Sequence, residues 1–213
     1  HPLAAYERLL SSFRSHTSAQ LSDLDNRTEV MVGGMISSIK LSHTRNPKPG
    51  APTKYAMFDL EDMEGAVRCI LWPNGFAQYG EFVVPDNVLL ARCSVDKRGG
   101  DEVNLIVNEL LSLEQLDARY TRGICIRLES PKHSPAAVAQ VREIVRGYPG
   151  PHELQFLLRL ESGALVHLTC PQQGIGVNPE LRERLEDMLG PGGYRLLFNK
   201  PQLTPAKARG PRD

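Results

Sequence analysis

Between residues 30 and 113 apolar and polar positions alternate in short runs separated by turn residues, the pattern of half-buried strands. Val30-Met-Val-Gly-Gly-Met-Ile-Ser-Ser-Ile-Lys40 is a β-rich run interrupted by two glycines. In Tyr55-Ala-Met-Phe-Asp-Leu60, Ala56, Phe58 and Leu60 share one face, and Tyr55, Met57 and Asp59 share the other. Glu64-Gly65 turns the chain into Ala66-Val-Arg-Cys-Ile-Leu-Trp72, which Pro73 ends for want of an N–H. A helical segment from Asn74 to Phe82 leads through Pro85-Asp86-Asn87 into a strand, Val88 to Val95. Lys97-Arg-Gly-Gly-Asp101 then turns the chain back into Val103 to Leu111.

Strand, strand, strand, helix, strand, strand is the order of an OB-fold, a five-stranded Greek-key β barrel. Gly33 and Gly34 are expected to supply the bend or bulge that a tightly coiled barrel strand needs. Upstream, Tyr6, Leu9, Leu10 and Phe13 fall at helical spacing after Pro2, and the polar stretch Ser15 to Asn26 has Leu21 and Leu24 as anchors. Residues 1–27 are thus a short helical lead-in and linker, and 28–116 the barrel.

A small α+β domain follows over 121–200, in the order β-α-β-β-α-β. Its strands are Ile124 to Leu128, Glu153 to Leu160, Leu165 to Thr169 and Tyr194 to Phe198, with a hairpin turn at Ser162-Gly163. One helix starts at Ser134-Pro135 and places Val138, Val141 and Val145 on one face; the other starts at Asn178-Pro179 and is closed by Gly190. This order permits a ferredoxin-like split sheet. Residues 201–213 read as a basic, proline-containing, disordered tail.

Apolar residues make up 41% of the chain, charged residues 23%, and the net charge is zero. A nucleic-acid role must therefore come from a local basic patch and not from a whole-molecule field. Cys69, Cys93, Cys125 and Cys170 are widely spaced, which excludes a zinc site and suits free core thiols in a reducing cytoplasm. No apolar run reaches the ~20 residues of a membrane span, no signal peptide opens the chain, and the leading histidine reads as the start of a fragment.

The segment from Lys40 to Lys54 carries Lys40, His43, Arg45, Lys48 and Lys54, with no acidic residue. It joins the first two strands, and that loop, with the face of strands two and three, is where OB-folds take oligonucleotides. Basic side chains along a groove attract phosphate, and flat side chains offer bases a stacking surface. The exposed face carries Tyr55, Met57 and Arg68, with Trp72 open as a fourth member, and Lys97 and Arg98 lie in the second flanking loop. Trp72 is expected to pack under the connecting helix. Asp59, Glu61, Asp62 and Glu64 could suggest magnesium, but in a barrel they read as an acidic turn. His167 has no base–orienter partner and Gly174-Ile-Gly176 lacks a phosphate-loop context, so catalytic residues, metal and cofactors are all expected to be none.

Val32-Gly-Gly-Met-Ile36, Phe58-Asp-Leu-Glu-Asp-Met-Glu-Gly65, Leu71-Trp-Pro73 and Leu105-Ile-Val-Asn-Glu109 resemble the OB domain of the bacterial DNA polymerase III alpha subunit family, and His1-Pro2-Leu3 is similar to the segment entering it. Tyr148-Pro-Gly150, Val177-Asn-Pro-Glu-Leu181 and Leu189-Gly190 resemble that family's C-terminal domain. The resemblance implies a non-catalytic C-terminal fragment of a cytoplasmic DNA-directed DNA polymerase, with the catalytic aspartates upstream. It implies single-stranded template DNA as ligand, and the clamp-loader tau subunit and other replicase subunits as partners, with no membrane. Two other classes remain open: an anticodon- or RNA-binding barrel of a tRNA-related protein, and a protein-interaction module that binds no nucleic acid.

Overall fold

The computed structural model describes residues 2–98 and 102–204. The chain divides into two compact units, residues 1–117 with 200–213, and residues 118–199. In the first, β1 (Glu29–His43), β2 (Lys54–Glu61), β3 (Ala66–Leu71), β4 (Val88–Asp96) and β5 (Asn104–Ser112) close in the order β1-β2-β3-β5-β4. Closure comes from β3 running parallel to β5, with Arg68, Cys69 and Ile70 beside Asn104, Leu105 and Ile106. The expected alternation holds. Ala56, Phe58 and Leu60 are buried in the barrel with Val67, Cys69, Leu71, Leu89, Cys93 and Leu105. α2 (Pro73–Tyr79) and a following 3-10 turn (Gly80–Phe82) connect β3 to β4, and their Phe76, Tyr79 and Phe82 pack on the core.

The bulge does not fall at the glycines. It lies between Ser37 and Lys40, where Ser38 takes a left-handed φ of 49°. The glycines answer to crowding instead. Gly34 sits where β1 passes from β4 to β2, and a Cβ there would drive into the Glu61 carbonyl. Gly33 makes room for Leu10 of α1 (Glu7–Phe13), 3.0 Å from where its Cβ would stand. Leu3, Leu10 and Phe13 are the buried positions of this lead-in, whereas Tyr6 is exposed. Leu21 enters the barrel core, and Leu24 packs against it, as their spacing suggested.

After α3 (Leu113–Tyr120), which no sequence signal suggested, the second unit contains β6 (Thr121–Glu129), α4 (Pro135–Arg146), β7 (Pro149–Arg159), β8 (Leu165–Thr169), α5 (Pro179–Leu189) and β9 (Tyr194–Phe198). Both helix starts are capped as expected: Ala137 N–H donates to Ser134 Oγ at 3.2 Å, and Leu181 N–H to Asn178 Oδ1 at 2.8 Å. Val141 and Val145 are buried, but Val138 faces solvent. The sheet order is β8-β7-β6-β9, with β6 and β7 directly paired and parallel, so it is not the split ferredoxin-like sheet. A split sheet would need a strand between β6 and β7. The one available, β8, has exposed side chains at four of its five positions, which suits an edge.

Of the tail, Pro201–Thr204 is held to the barrel: Arg92 donates to the Gln202 carbonyl at 3.1 Å and Thr204 N–H to Glu29 at 2.7 Å. Residues 205–213 lie outside the described residues, as do Gly99, Gly100 and Asp101 of the β4–β5 turn. No helix among the described residues is long and apolar enough to cross a membrane.

Gly34→Ala should destabilise the barrel by about 2–3 kcal/mol, because backbone must move. Gly33→Ala should cost under about 1.5 kcal/mol, since a Leu10 side chain can shift. Urea unfolding followed by far-UV circular dichroism measures both, and equal costs would contradict the crowding argument.

Candidate nucleic-acid interface

Strand register fixes which side chains share the outer face of the barrel. One row across β1, β2, β3 and β5 is Lys40, Met57, Ile70 and Ile106; the next is Ser37, Asp59, Arg68 and Asn104. Tyr55, opposite Ser42, begins the row nearest the β1–β2 loop, and Trp72 follows β3 beside it. The Tyr55 and Trp72 rings lie 5.3 Å apart, tilted by 39°, and Trp72 is 43% exposed. The expectation that Trp72 packs under the helix is therefore wrong. It is the N-cap residue of α2, and its ring leans on Tyr55 at the surface. A parity signal was available: with Val67, Cys69 and Leu71 inside, Arg68, Ile70 and Trp72 must point out.

The β1–β2 loop is shorter than the basic segment, because Lys40 to His43 belong to β1 and Lys54 opens β2. Its base is closed by Thr44 N–H donating to the Thr53 carbonyl at 2.9 Å and by His43 Nδ1 and Thr53 Oγ1 at 3.0 Å. Its tip is a turn, Lys48-Pro49-Gly50-Ala51, in which Ala51 N–H donates to the Lys48 carbonyl and Gly50 takes φ 76°. Proline then glycine at the two central positions is what a type II turn needs.

The nine basic, aromatic and thioether candidates separate by what already holds them. Lys40, Arg45 and Lys48 are exposed, and among the described residues no ion pair engages them. Lys54 Nζ sits 5.1 Å from the centre of the Phe76 ring, a cation–π contact beside the aromatic pair. Met57 is half-buried in the middle of the face. Arg68 points outward but forms a two-pronged pair with Asp59, whose hydrogen bond and charge raise the guanidinium pKa further. Arg98 is likewise paired with Asp96 at 2.8 Å, and that hydrogen bond lowers the Asp96 pKa. Lys97 donates to the Ser22 carbonyl at 2.6 Å. Its hairpin leads into Asn104 beside Arg68, toward the end of the face away from Tyr55. Arg68, Lys97 and Arg98 thus have local partners that sequence spacing did not reveal.

The acidic cluster is structural. Asp62 accepts from Ser18 N–H and Oγ, and from Glu64 and Gly65 N–H. Glu61 accepts from Ser37 Oγ at 2.5 Å and Glu64 from Thr17 Oγ1 at 2.7 Å. No group of three or more metal-ligating side chains is present among the described residues. Gly174-Ile-Gly176 is a packing element: Ile175 is buried and bridges Pro149 and His152, with the two glycines against Gly150. His167 sits 2.7 Å from Gln155 Oε1.

A closed five-stranded barrel with these connections is an OB-fold, and residues 13–113 match the OB-fold nucleic acid binding domain family. The chain is similar to DNA polymerase III subunit alpha of several bacteria. It is 28% identical over 196 residues to that protein of Mycobacterium tuberculosis, covering 90% of this chain and 16% of the relative. The Aquifex aeolicus DNA polymerase III subunit alpha is 24% identical over 174 residues, covering 81% of this chain and 14% of the relative. The chain therefore spans about a sixth of the curated relatives it matches. Among solved structures, asparaginyl-tRNA synthetase from Pyrococcus horikoshii is 14% identical, covering 62% of this chain and 33% of that one, with a TM-score of 0.34.

Asp59→Asn should free Arg68 and remove one negative charge, so the variant should elute from heparin at higher salt. Arg68→Ala alone should shift elution less than Lys48→Ala does, because Asp59 already neutralises Arg68. Both should alter stability by no more than about 0.5 kcal/mol, as exposed pairs contribute little. Salt-gradient elution with thermal melting reads all three variants.

Proposed function

We propose that this chain serves as the single-strand-handling and partner-docking part of a replicative DNA polymerase III alpha subunit. The barrel takes single-stranded template DNA across β2 and β3, and the second unit docks the clamp-loader tau subunit and other replicase subunits. The observation that carries the first half is the juxtaposition of the Tyr55–Trp72 ring pair with a loop whose Arg45 and Lys48, like nearby Lys40, have no ion pair among the described residues. Bases stack on the rings, and the strand's phosphates follow the loop. Lys54, held over Phe76, adds charge at the junction. Stacking tolerates any base, and Asp59 and Arg68 of the next row are engaged with each other, so sequence preference is weak.

Support for the second half is the similarity to DNA polymerase III subunit alpha, which covers 90% of the chain and so extends into the second unit. On α5, Arg182 and Arg184 are interleaved with Glu180, Glu183, Glu186 and Asp187, a mixed-charge surface unlike a phosphate track. The whole protein would be a DNA-directed DNA polymerase, with its nucleotidyl transfer carried by residues outside this chain.

Labelled oligothymidylate, titrated with salt, tests the barrel. With three or four phosphates neutralised, the log–log salt slope should be roughly −2 to −3, at about −0.7 per contact. Arg45→Ala with Lys48→Ala should flatten that slope. Tyr55→Ala and Trp72→Ala should each cost roughly 1–3 kcal/mol with the slope unchanged. Equal affinity for duplex, or indifference to salt, would overturn the reading.

The docking half predicts that tau and the oligonucleotide occupy the chain together. Sedimentation should show a ternary complex, and competition between them would refute the division of labour.

A further inference from the structure

The sheet of the second unit has α4 and α5 on one face only. Ile124, Ile126, Leu128, Leu154, Phe156 and Leu158 pack in the cluster formed with those helices. Their neighbours in register point the other way: Cys125, Gln155, Thr169 and Arg195 in one row, and Arg127, Leu157 and His167 in the next. Arg127, Arg159 and Arg195 on this second face are exposed, and among the described residues none has an ion pair. Arg127 and Arg159 line a cleft of about 280 Å³ together with Glu129, Leu157 and Leu165. Two guanidiniums against one carboxylate in its lining make the cleft basic on balance.

β8 is the edge beside this face. It pairs with β7 alone, in unbroken register from Gln155–Thr169 to Arg159–Leu165. Leu160 N–H donates to the Ala164 carbonyl and Cys170 N–H to the Leu154 carbonyl. Antiparallel pairs alternate, so Ala164, Val166, Leu168 and Cys170 direct their backbone groups at β7. Leu165, His167 and Thr169 therefore direct theirs outward, at the free edge. Natural edge strands are shielded by charge, proline or a bulge, and Leu165-Val-His-Leu-Thr169 has none of these. Leu165 and Leu168 are 65% and 43% exposed.

We infer that β8 takes up an extended acidic segment of a protein partner by strand addition, with Arg159 and Arg127 receiving its carboxylates. Added backbone would satisfy Leu165, His167 and Thr169, and every second side chain of the partner would project on the side of the sheet that carries Arg159 and Arg127. A single-stranded nucleic acid fits this face less well. Apart from the His167 imidazole it offers no aromatic ring, and base stacking is what such ligands require. The inference deepens the reading of this unit as a protein-docking unit and rests on it.

The test uses the full chain and a labelled ten-residue peptide alternating valine and glutamate, with its lysine counterpart and oligothymidylate as comparisons. The glutamate peptide should bind, shifting the amide resonances of Leu165, His167 and Thr169, and the lysine peptide should bind at least about tenfold more weakly. Arg127→Ala with Arg159→Ala should weaken the glutamate peptide by about tenfold or more. Thr169→Pro removes one outward N–H without touching a β7 bond, and should weaken the peptide comparably while circular dichroism and oligonucleotide binding stay unchanged. Indifference to both variants, or oligothymidylate shifting the same amides in place of the peptide, overturns the proposal. A parallel measurement with tau separates the two readings. Tau binding that survives both variants removes the edge as its site but leaves protein docking standing. Peptide binding at the edge without any tau binding does the reverse.

Discussion

Everything on the first unit's surface depends on closing five strands into one barrel, and closure rests on the parallel seam between β3 and β5. Three residue pairs, from Arg68–Asn104 to Ile70–Ile106, join edges that would otherwise stand open. A barrel this small has room for little besides Phe58 and its aliphatic neighbours, so each inward position must match its opposite in size. The same economy leaves no space for a Cβ at Gly34. It also sets the parity of every outward residue. Once Val67, Cys69 and Leu71 fill the interior, the outer face has no choice but Arg68, Ile70 and Trp72.

The strands were legible in the sequence because burial on one side writes a period of two into residues such as Ala56, Phe58 and Leu60. Turns were legible where chemistry compels them, as at Gly163, which takes φ 82° in the β7–β8 hairpin. Two kinds of feature were not. Strand order in the second unit depends on which edges pair, and β-α-β-β-α-β is compatible with more than one answer; the exposure of β8 was the clue. Side-chain pairing was equally hidden. Asp59 and Arg68 are nine residues apart in sequence, yet register sets them opposite each other. Trp72 admits two readings in the sequence, because strand parity puts it on the outer face while the proline after it puts it at the helix start.

Charge on the barrel is sorted by the fold and not by composition. Asp62 and Glu64 hold the 3-10 segment Ser18–Asp23 and the β2–β3 turn, and Asp96 occupies Arg98. Glu29 answers Arg92 and the returning chain at Thr204. Among the described residues a neutral chain still presents exposed cations without an ion pair, including Arg45 and Lys48 in the β1–β2 loop and Arg127, Arg159 and Arg195 on the sheet of the other unit. Each lies next to a surface of different character, rings in one case and an unshielded strand edge in the other. That difference is the ground on which the two basic surfaces are proposed for different ligands.

Trp72 is the one tryptophan of the chain, and it stands half in solvent beside Tyr55 and not in a core. Its emission consequently senses the mouth of the barrel. Selective excitation of indole will register a perturbed surface before it registers melting of the Phe58 core. Tyr120, Tyr148 and Tyr194 are the second unit's native chromophores. An unfolding curve recorded by tryptophan alone would thus describe one corner of the molecule and could pass for the whole.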